Sequence, residues 1–362
     1  MKTEFFQKNV KALALPRVHQ IAQNIFMGCF PWIMKLTVAL RITEDGLRSG
    51  RVKPNETILV DSSSGTLALG LAIAARLYEV PVVVYSDSAI DESLLNLLEL
   101  LGARVEFVQG SAGAGNSQSQ RLAGVSEFVR AHDGCAFWTR QYDNPSNALS
   151  YEDEVTNAIV EQLPSIDYLV CATGSGGSLT GLATALRKRN PHIIAVAVDT
   201  HNSILFGHVD KPRTLRGLGN SIMPKCLNHR VVDLVYWISA ADAFYYTRSL
   251  CTQVGLYRGA TTGAVFGVAK HIAEQYPGKT ILALSADSGE RYSKTAYSDA
   301  WCKENQVFTD FPAQYATEVQ SPHESQEHGR FSFFRWNRRT LQEVVGNDVQ
   351  YPTTDQITNR TM

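Results

Sequence analysis

The alternation of short apolar segments with longer helical patterns constrains the fold of this chain more than any other feature. Segments rich in β-branched and aromatic residues predict strands at 56–61, 80–86, 103–109, 135–140, 167–173, 192–199, 233–239 and 279–287. Helical periodicity occupies most of the sequence between them. This order is typical of an α/β fold with mainly parallel sheets flanked by helices, in which ligands bind beyond the carboxyl ends of the strands.

Two changes along the sequence indicate where domains begin and end. The stretch QYDNPSNALSYEDE (141–154) is rich in turn residues and divides the strand and helix series into two blocks. We expect an N-terminal segment at 1–35, a small α/β domain at 36–145, a large α/β domain at 146–302 and a polar C-terminal extension at 303–362. The extension has no sustained periodicity, which predicts partial disorder with one short ordered piece around FSFFRW (331–336).

Composition and charge exclude several classes of partner. The 362 residues are 44% hydrophobic and 19% charged, and 34 basic residues against 35 acidic ones give a formal charge of -1. This balance provides no basic field for nucleic acid or an anionic membrane, so small metabolites are the better ligands. The six cysteines form no C-x-x-C pair, which argues against a zinc site or a disulfide framework. No segment is long and apolar enough to span a bilayer, and we expect a soluble, cytoplasmic protein without a metal.

Two strand-loop-helix units carry loops rich in glycine and serine. The strand candidate at 167–173 leads into Gly174, Ser175, Gly176, Gly177 and Ser178. The strand candidate at 56–61 leads into SSSGT (62–66). Backbone N–H groups and the positive end of a helix converge at such loops, and glycine lets an anion approach closely. Two loops of this kind indicate two anionic groups, such as a cofactor phosphate and a substrate carboxylate, although either loop could be a simple tight turn.

A dinucleotide would also suit the first of these loops. Asp199 follows it at about the distance where a dinucleotide fold places its ribose-binding acid. The G-x-G-x-x-G fingerprint, however, needs glycine at a position where this chain has Leu179. A nucleotide also gives the serine-rich loop no role, which makes this the weaker alternative.

Six motifs occur in a fixed order along the chain. They are VDSSSGTLALGLA (60–72), QYDNPSN (141–147), ATGSGGSLTG (172–181), RGLGNSIMP (216–224), YRGATTGA (257–264) and SADSGERYS (285–293). Together they resemble the cysteine synthase and cystathionine β-synthase family of pyridoxal-phosphate enzymes, which has the tryptophan-synthase-β fold type. The segment AVDTHNSILFG (197–207) is most similar to siderophore-type N-(2-amino-2-carboxyethyl)-L-glutamate synthases, which join O-phosphoserine to glutamate.

The resemblance implies a homodimeric enzyme of fold type II that uses pyridoxal 5'-phosphate and acts on small amino acids. Lys35 interrupts the apolar stretch FPWIMK and would hold the cofactor as a Schiff base, then remove the α-proton of the substrate. The residues implied at the cofactor are Lys35, Thr66, Gly174, Ser175, Gly176, Gly177, Ser178 and Ser288, with Asp287 the rival of Ser288 at the pyridine nitrogen. The residues implied at the substrate carboxylate are Ser63, Ser64, Gly65, Thr66 and Gln141.

The implied reaction is β-replacement on O-phospho-L-serine or O-acetyl-L-serine through an aminoacrylate. An amine or thiol would then add, giving a β-substituted alanine such as a 2,3-diaminopropionate precursor. Plain O-acetylserine sulfhydrylase (cysteine synthase) activity is the alternative. Arg216, Arg213, Arg140 and Arg258 are candidates for binding a phosphate leaving group, although each could equally be a surface residue.

Two departures from the family pattern keep a non-catalytic alternative open. The family usually has N-P-x-G-S-x-K-D-R around its lysine, whereas this chain has CFPWIMKLT. The asparagine of the family's S-G-N-T sequence is Thr66 here. Both changes alter the expected surroundings of the cofactor, so a binding protein that has kept only the fold is a further hypothesis.

Overall fold

The computed structural model describes residues 2–88, 90–108 and 117–359. Within them the strands are β1 (Arg17–Gln20), β2 (Ile25–Cys29), β3 (Ile58–Ser62), β4 (Val82–Ser86), β5 (Arg104–Phe107), β6 (Ala136–Trp138), β7 (Tyr168–Ala172), β8 (Ile194–Thr200), β9 (Leu234–Ile238), β10 (Ile281–Ser285), β11 (Thr317–Glu318) and β12 (Phe331–Arg335). The α-helices are α1 (Lys2–Leu13), α2 (Lys35–Arg48), α3 (Thr66–Tyr78), α4 (Glu92–Leu100), α5 (Ser117–Ala131), α6 (Ser146–Ser150), α7 (Thr156–Gln162), α8 (Gly177–Arg189), α9 (Ala240–Ser249), α10 (Ala260–Gln275), α11 (Asp299–Glu304), α12 (Pro322–His328), α13 (Leu341–Val345) and α14 (Thr354–Asn359).

The smaller sheet has the strand order β5-β4-β3-β6, and each neighbouring pair is parallel. A parallel sheet is covered by helices on both faces, which explains why β3 and β4 are nearly continuous apolar runs. Helix α5 packs against β3, β4 and β6, and α3 packs against β3, β4 and α2. This sheet lies wholly within residues 36–145.

The larger sheet has the order β1-β2-β10-β7-β8-β9-β12-β11. Its central strands β2, β10, β7, β8 and β9 are parallel neighbours, while β1 and β12 add antiparallel pairs towards the edges. The α/β fold with mainly parallel sheets is therefore confirmed. Because β1 and β2 precede residue 36 and β7 to β10 lie within 146–302, we propose the division into a small and a large domain that the sequence suggests.

The C-terminal extension is more ordered than the sequence predicts. Strand β12 pairs with β9 along its whole length, and α13 and α14 follow it. Phe331, Trp336 and Leu341 are buried and join the two largest hydrophobic clusters. The short ordered piece expected around 331–336 is present as β12. The expected disorder of the rest is wrong for the described residues, because a few well-spaced apolar side chains are enough to anchor a polar segment to an existing core. Among the described residues, none of the helices combines the length and apolar character that spanning a membrane requires.

Candidate active site

Three loops meet at one edge of the larger sheet. Strands β2, β10 and β7 are adjacent and parallel, so their carboxyl ends lie side by side. The first strand leads towards Lys35, the second towards Asp287 and Ser288, and the third into the glycine-rich loop at 173–178. The sheet topology thus places the lysine and the predicted phosphate loop in one neighbourhood.

Lys35 is the first residue of α2, and its side chain reaches the glycine-rich loop. Its Nζ donates a hydrogen bond to Ser175 Oγ at 3.0 Å. The backbone before it is fixed, because the Met34 N–H donates to the Ala286 carbonyl at 2.7 Å. Helix α3 also packs tightly here, since a Cβ added at Gly70 would lie 2.8 Å from the Lys35 carbonyl oxygen.

The surroundings of Lys35 change its acidity. Burial lowers the pKa of Lys35 to about 8, while the nearby Cys226 and Asp61 act in the opposite direction. A lysine with this pKa is neutral in a useful fraction of molecules near neutral pH. Only the neutral amine can attack an aldehyde or accept a proton, so the lowered pKa makes both reactions possible for Lys35 near neutral pH.

Ser175 connects the lysine to the QYDNPSN motif. Its Oγ accepts hydrogen bonds from Lys35 Nζ and from Asn147 Nδ2, each at 3.0 Å. Asn147 Nδ2 also donates to the Gln141 carbonyl at 2.6 Å. Asn147 thus joins the glycine-rich loop to the residue implied at the substrate carboxylate. Sequence reasoning gave Asn147 no role, although its position in a recognised motif was the available signal.

Two glycines shape the turn before α8. Gly176 has φ of +79°, a left-handed conformation that glycine adopts without a steric penalty. A Cβ at Gly176 would lie 2.5 Å from Leu227 Cβ, and one at Gly177 would collide with the Asn147 amide. Only glycine therefore allows the first turn of α8 to approach these neighbours. The N–H groups of that turn and the helix dipole suit a phosphate.

The buried polar atoms of this region fit pyridoxal phosphate. Thr173 Oγ1 and Asn147 Oδ1 are buried without a hydrogen-bond partner among the described residues. Ser178 is also buried, in the first turn of α8. Buried polar atoms normally have partners, so these atoms indicate a polar ligand. A phosphate at the start of α8 and an aldehyde at Lys35 would use the loop, the helix end and the amine together.

The SSSGT loop follows β3 and is held by a buried carboxylate. Asp61 accepts hydrogen bonds from the Thr139 hydroxyl, the Trp138 indole N–H and the Gln141 backbone N–H. Burial raises the pKa of Asp61, and these hydrogen bonds oppose that shift. The Gln141 side chain donates to the Ser62 carbonyl at 3.2 Å, which brings it beside the loop.

The loop residues differ in how much of their hydrogen-bonding capacity is already used. Ser63 Oγ accepts from the N–H groups of Gly65 and Ala68, at 3.1 and 3.2 Å, and so satisfies one N–H of the first turn of α3. Thr66 begins that helix directly after Gly65. Ser64 contacts two arginines, which are described below.

Ser288 and Asp287 lie at the end of β10, next to the backbone that carries Lys35. The Ser288 hydroxyl donates a short hydrogen bond to Glu290. Asp287 is buried, and one of its oxygens accepts from the Tyr292 hydroxyl at 2.9 Å. Its other oxygen, Oδ1, has no hydrogen-bond partner in the described parts of the chain. Burial raises the pKa of Asp287, with Arg291 and Tyr292 opposing.

Three arginines cluster around Ser64. Arg121 donates to Ser64 Oγ and Arg291 donates to the Ser64 carbonyl, both at 3.4 Å. Arg121 is paired with Asp87, and Arg291 with Asp91 at 2.8 Å. The third member is Arg216, which interacts electrostatically with all four of these charged residues.

The arginine cluster brings three guanidinium groups together. Arg121 and Arg291 are paired with Asp87 and Asp91, and Asp287 lies 4.0 Å from Arg291. The Arg216 residue is exposed, but the neighbouring protein removes part of the water around its guanidinium, and this desolvation is the main cause that lowers its pKa. The negative charge of Asp87 acts in the opposite direction on the pKa. Of these arginines, sequence reasoning selected only Arg216. Arg291 lay within the SADSGERYS motif, and nothing in the sequence marked Arg121.

The other candidate arginines lie elsewhere. Arg258 is buried and donates to Ser285 Oγ and to the Phe30 carbonyl. Arg213 bonds Asp210 and Ser221, and Arg140 bonds carboxylates at 143 and 355. Asp199, on which the dinucleotide alternative depended, is fully buried. No group of three or more His, Cys, Asp or Glu side chains within the described ranges could hold a metal ion.

The chain matches one protein family, and its fold is similar to those of several solved enzyme structures. A family model described as pyridoxal-phosphate dependent enzyme matches residues 34–287. A cysteine synthase structure from Entamoeba histolytica is 22% identical with a TM-score of 0.70, covering 83% of this chain and 91% of that one. An O-ureido-L-serine synthase structure is 24% identical with a TM-score of 0.72, covering 81% and 98%. A hydrogen sulfide-producing enzyme from Fusobacterium nucleatum is 23% identical with a TM-score of 0.72, covering 78% and 98%.

Proposed function

The chain belongs to the family of pyridoxal-phosphate-dependent enzymes, and we propose that it replaces the β-substituent of an O-activated L-serine with an amine or thiol. The observation that carries this proposal is the contact of a desolvated lysine, Lys35, with Ser175 at the start of α8. The name of one structural relative, O-acetylserine sulfhydrylase, contains an O-substituted serine as substrate, and that of another, O-ureido-L-serine synthase, contains one as product. Both names support chemistry at the β-position of an O-substituted serine.

In the proposed mechanism, the glycine-rich loop from Gly174 to Ser178 holds the phosphate of the cofactor. Bound pyridoxal phosphate supplies the electron withdrawal that weakens the Cα–H bond of an amino acid. Lys35 Nζ accepts the α-proton, for which its pKa of about 8 is suited. Ser175 and Asn147 hold the amine in place through the hydrogen bonds described above.

We propose Ser288 as the hydroxyl that meets the pyridine nitrogen, with the unpartnered Asp287 Oδ1 as the alternative. A neutral hydroxyl would leave the ring nitrogen largely unprotonated and favour β-elimination. An aspartate would favour protonation of the ring. Thr66, which stands where the family has asparagine, is our proposed neighbour for the cofactor at the start of α3.

The substrate carboxylate is proposed to bind at the SSSGT loop. Ser63, Ser64, Gly65 and Thr66 lie at the N-terminal end of α3, where N–H groups and the helix dipole favour an anion. Gln141 lies beside this loop through its bond to Ser62. The side-chain amide of Gln141 therefore lies near the loop, while its backbone carbonyl accepts a hydrogen bond from Asn147 Nδ2.

The arginine cluster of Arg121, Arg216 and Arg291 favours a donor with a second anionic group. The contacts of Arg121 and Arg291 with Ser64 put guanidinium groups beside the proposed carboxylate loop. A phosphate has the geometry and charge that guanidinium groups bind best. We therefore propose O-phospho-L-serine over O-acetyl-L-serine as the donor. We also propose a cytoplasmic homodimer, and the six free cysteines are consistent with a reducing compartment.

The test combines spectroscopy with two donors. The purified holoenzyme should absorb visible light, and this absorbance should change on addition of O-phospho-L-serine at lower concentration than with O-acetyl-L-serine. Lys35→Ala should lose the lysine-bound spectrum. Phosphate release that depends on an added amine or thiol would identify the second substrate. A protein that never acquires the cofactor, or that binds it and ignores both donors, would refute the proposed reaction. Equal response to both donors would refute only the choice of phosphate.

A further inference from the structure

The last described residues cross between the two sheets of the molecule. We call residues 351–359 the C-terminal strap. The Met223 N–H donates to the Pro352 carbonyl at 2.7 Å, which attaches the strap to the chain between β8 and β9 of the larger sheet. Helix α14 then packs against α5, which covers the smaller sheet. The strap lies outside the 34–287 range that matches the family, so it is an addition to the part of the fold that carries the chemistry.

One carboxylate of the strap forms ion pairs with residues next to the smaller sheet and next to the larger sheet. Asp355 forms ion pairs with Lys225, at 2.7 Å, and with Arg140. Lys225 lies between β8 and β9, whereas Arg140 lies two residues after the end of β6 of the smaller sheet. The hydrogen bonds from these two cations are the main reason that the pKa of Asp355 is lowered.

The two segments that Asp355 joins also line the candidate active site. Arg140 precedes Gln141, which lies beside the SSSGT loop. Lys225 precedes Cys226, whose N–H donates to the Tyr142 carbonyl at 3.0 Å. The next residue, Leu227, packs against Gly176 of the glycine-rich loop. A shift of the strap would therefore act on both loops of the site.

The backbone at Arg140 needs outside support. Its φ of +50° lies in the left-handed region, which a non-glycine residue adopts at an energetic cost. Its guanidinium lies over the Trp138 ring, 4.7 Å from the centroid, and bonds Asp143 and Asp355. These contacts orient the start of the segment at 140–147, and the contact with Asp355 is the one that comes from the strap.

We propose that Asp355 is a positioning residue, which holds the segment at 140–147 against the larger sheet and so sets the affinity for the amino-acid donor. Both ion pairs are partly exposed, with 44% of the Asp355 side chain accessible, so each contributes little to stability and their effect is on position. Thr354 is buried and Tyr351 packs on the main core cluster, which gives the strap fixed anchors on either side of Pro352. The proposal relies on the proposed function only for the role of Gln141 in binding the donor.

The test compares Asp355→Asn, Asp355→Glu and the matched control Asp348→Asn in the full-length holoenzyme. Asp348 is an exposed acidic residue shortly before the strap. In Asp355→Asn we expect amide hydrogen exchange at 140–147 to be at least threefold faster. We expect the KM for the donor to rise about three- to tenfold with kcat within twofold, as loss of two partly exposed ion pairs allows. Asp355→Glu keeps the negative charge and should have a KM and an exchange rate close to those of the wild type. Asp348→Asn should behave as wild type.

Hydrogen exchange keeps this test independent of the proposed reaction. If the enzyme acts on neither donor, faster exchange at 140–147 in Asp355→Asn alone still supports the strap. Unchanged exchange at 140–147 overturns the proposal, even where the variant lowers the unfolding temperature. A fall in kcat with an unchanged KM also overturns it, because that would make Asp355 part of the chemical step.

Discussion

Replacing Arg216 should separate the two candidate donors. Arg216 is the exposed member of the arginine cluster, and Arg216→Ala removes one guanidinium from it. The cluster then loses one positive charge, while Arg121 keeps its ion pair with Asp87 and Arg291 its ion pair with Asp91. A hydrogen bond to a charged group contributes about 1.5–3 kcal/mol, and exposure favours the lower end, about 1.5–2 kcal/mol. This corresponds to a loss of about 10- to 30-fold in an equilibrium constant.

The assay is kcat/KM for each donor with the same nucleophile. For Arg216→Ala we expect the value for O-phospho-L-serine to fall about 10- to 30-fold, and the value for O-acetyl-L-serine to change by less than about threefold. Arg213→Ala is the matched control, since its guanidinium lies in the same connecting segment but bonds Asp210 and Ser221. Equal losses for both donors in Arg216→Ala would refute a phosphate-specific role. Equal losses in the two arginine variants would refute the assignment of the cluster.

Three further variants test the lysine, the phosphate loop and the C-terminal extension. Lys35→Met should stabilise the cofactor-free protein by up to about 3 kcal/mol at pH 7, because the lowered pKa of this lysine makes its charging unfavourable in the folded state. The gain in the free energy of unfolding should vanish by about pH 10.5, where the lysine is largely neutral in both states. Denaturant unfolding measures this gain, and a gain that does not depend on pH would contradict the explanation. Gly177→Ala should weaken pyridoxal-phosphate binding at least tenfold by displacing Asn147, as measured by titration of the cofactor-free protein, and unchanged affinity would argue against this loop. Trp336→Ala should lower the free energy of unfolding by about 3–5 kcal/mol, because the side chain is fully buried, and a loss under about 1 kcal/mol would show that the extension is dispensable.

The sequence was informative wherever a local pattern determines structure. Parallel strands buried on both faces give continuous apolar runs, and tight turns before helices require glycine, so the sheets and the loop at Gly174–Ser178 were predictable. Helix α6 begins at Ser146, inside the stretch at 141–154 whose turn residues indicate a boundary rather than a helix. Asn144 Oδ1 accepts from the Ser146 N–H, and Pro145 lies at the start of the helix.

Contacts between distant segments were not predictable from one sequence. Arg121 lies on α5 with no local motif, and only the packing of that helix beside Ser64 brings it to the loop. The C-terminal extension was misjudged for a related reason. Apart from the ordered piece expected around 331–336, its composition is that of a disordered segment. The burial of Val319 and Leu341 depends on partners in the core, which periodicity within the segment does not reveal.

The altered sequence around Lys35 raised the possibility of a fold retained without catalysis, and the structure argues against that reading. Phe30, Ile33 and Met34 are buried, so the replacements fill space in an ordered segment. Burial also lowers the pKa of Lys35 from 10.5 to about 8, which costs the folded protein about 3 kcal/mol below that pH. A cost of this size is a substantial fraction of the stability of an ordinary protein. A binding protein that does not hold the cofactor would lose nothing by replacing this lysine with methionine, whereas an enzyme that needs a neutral amine at this position has a reason to keep it.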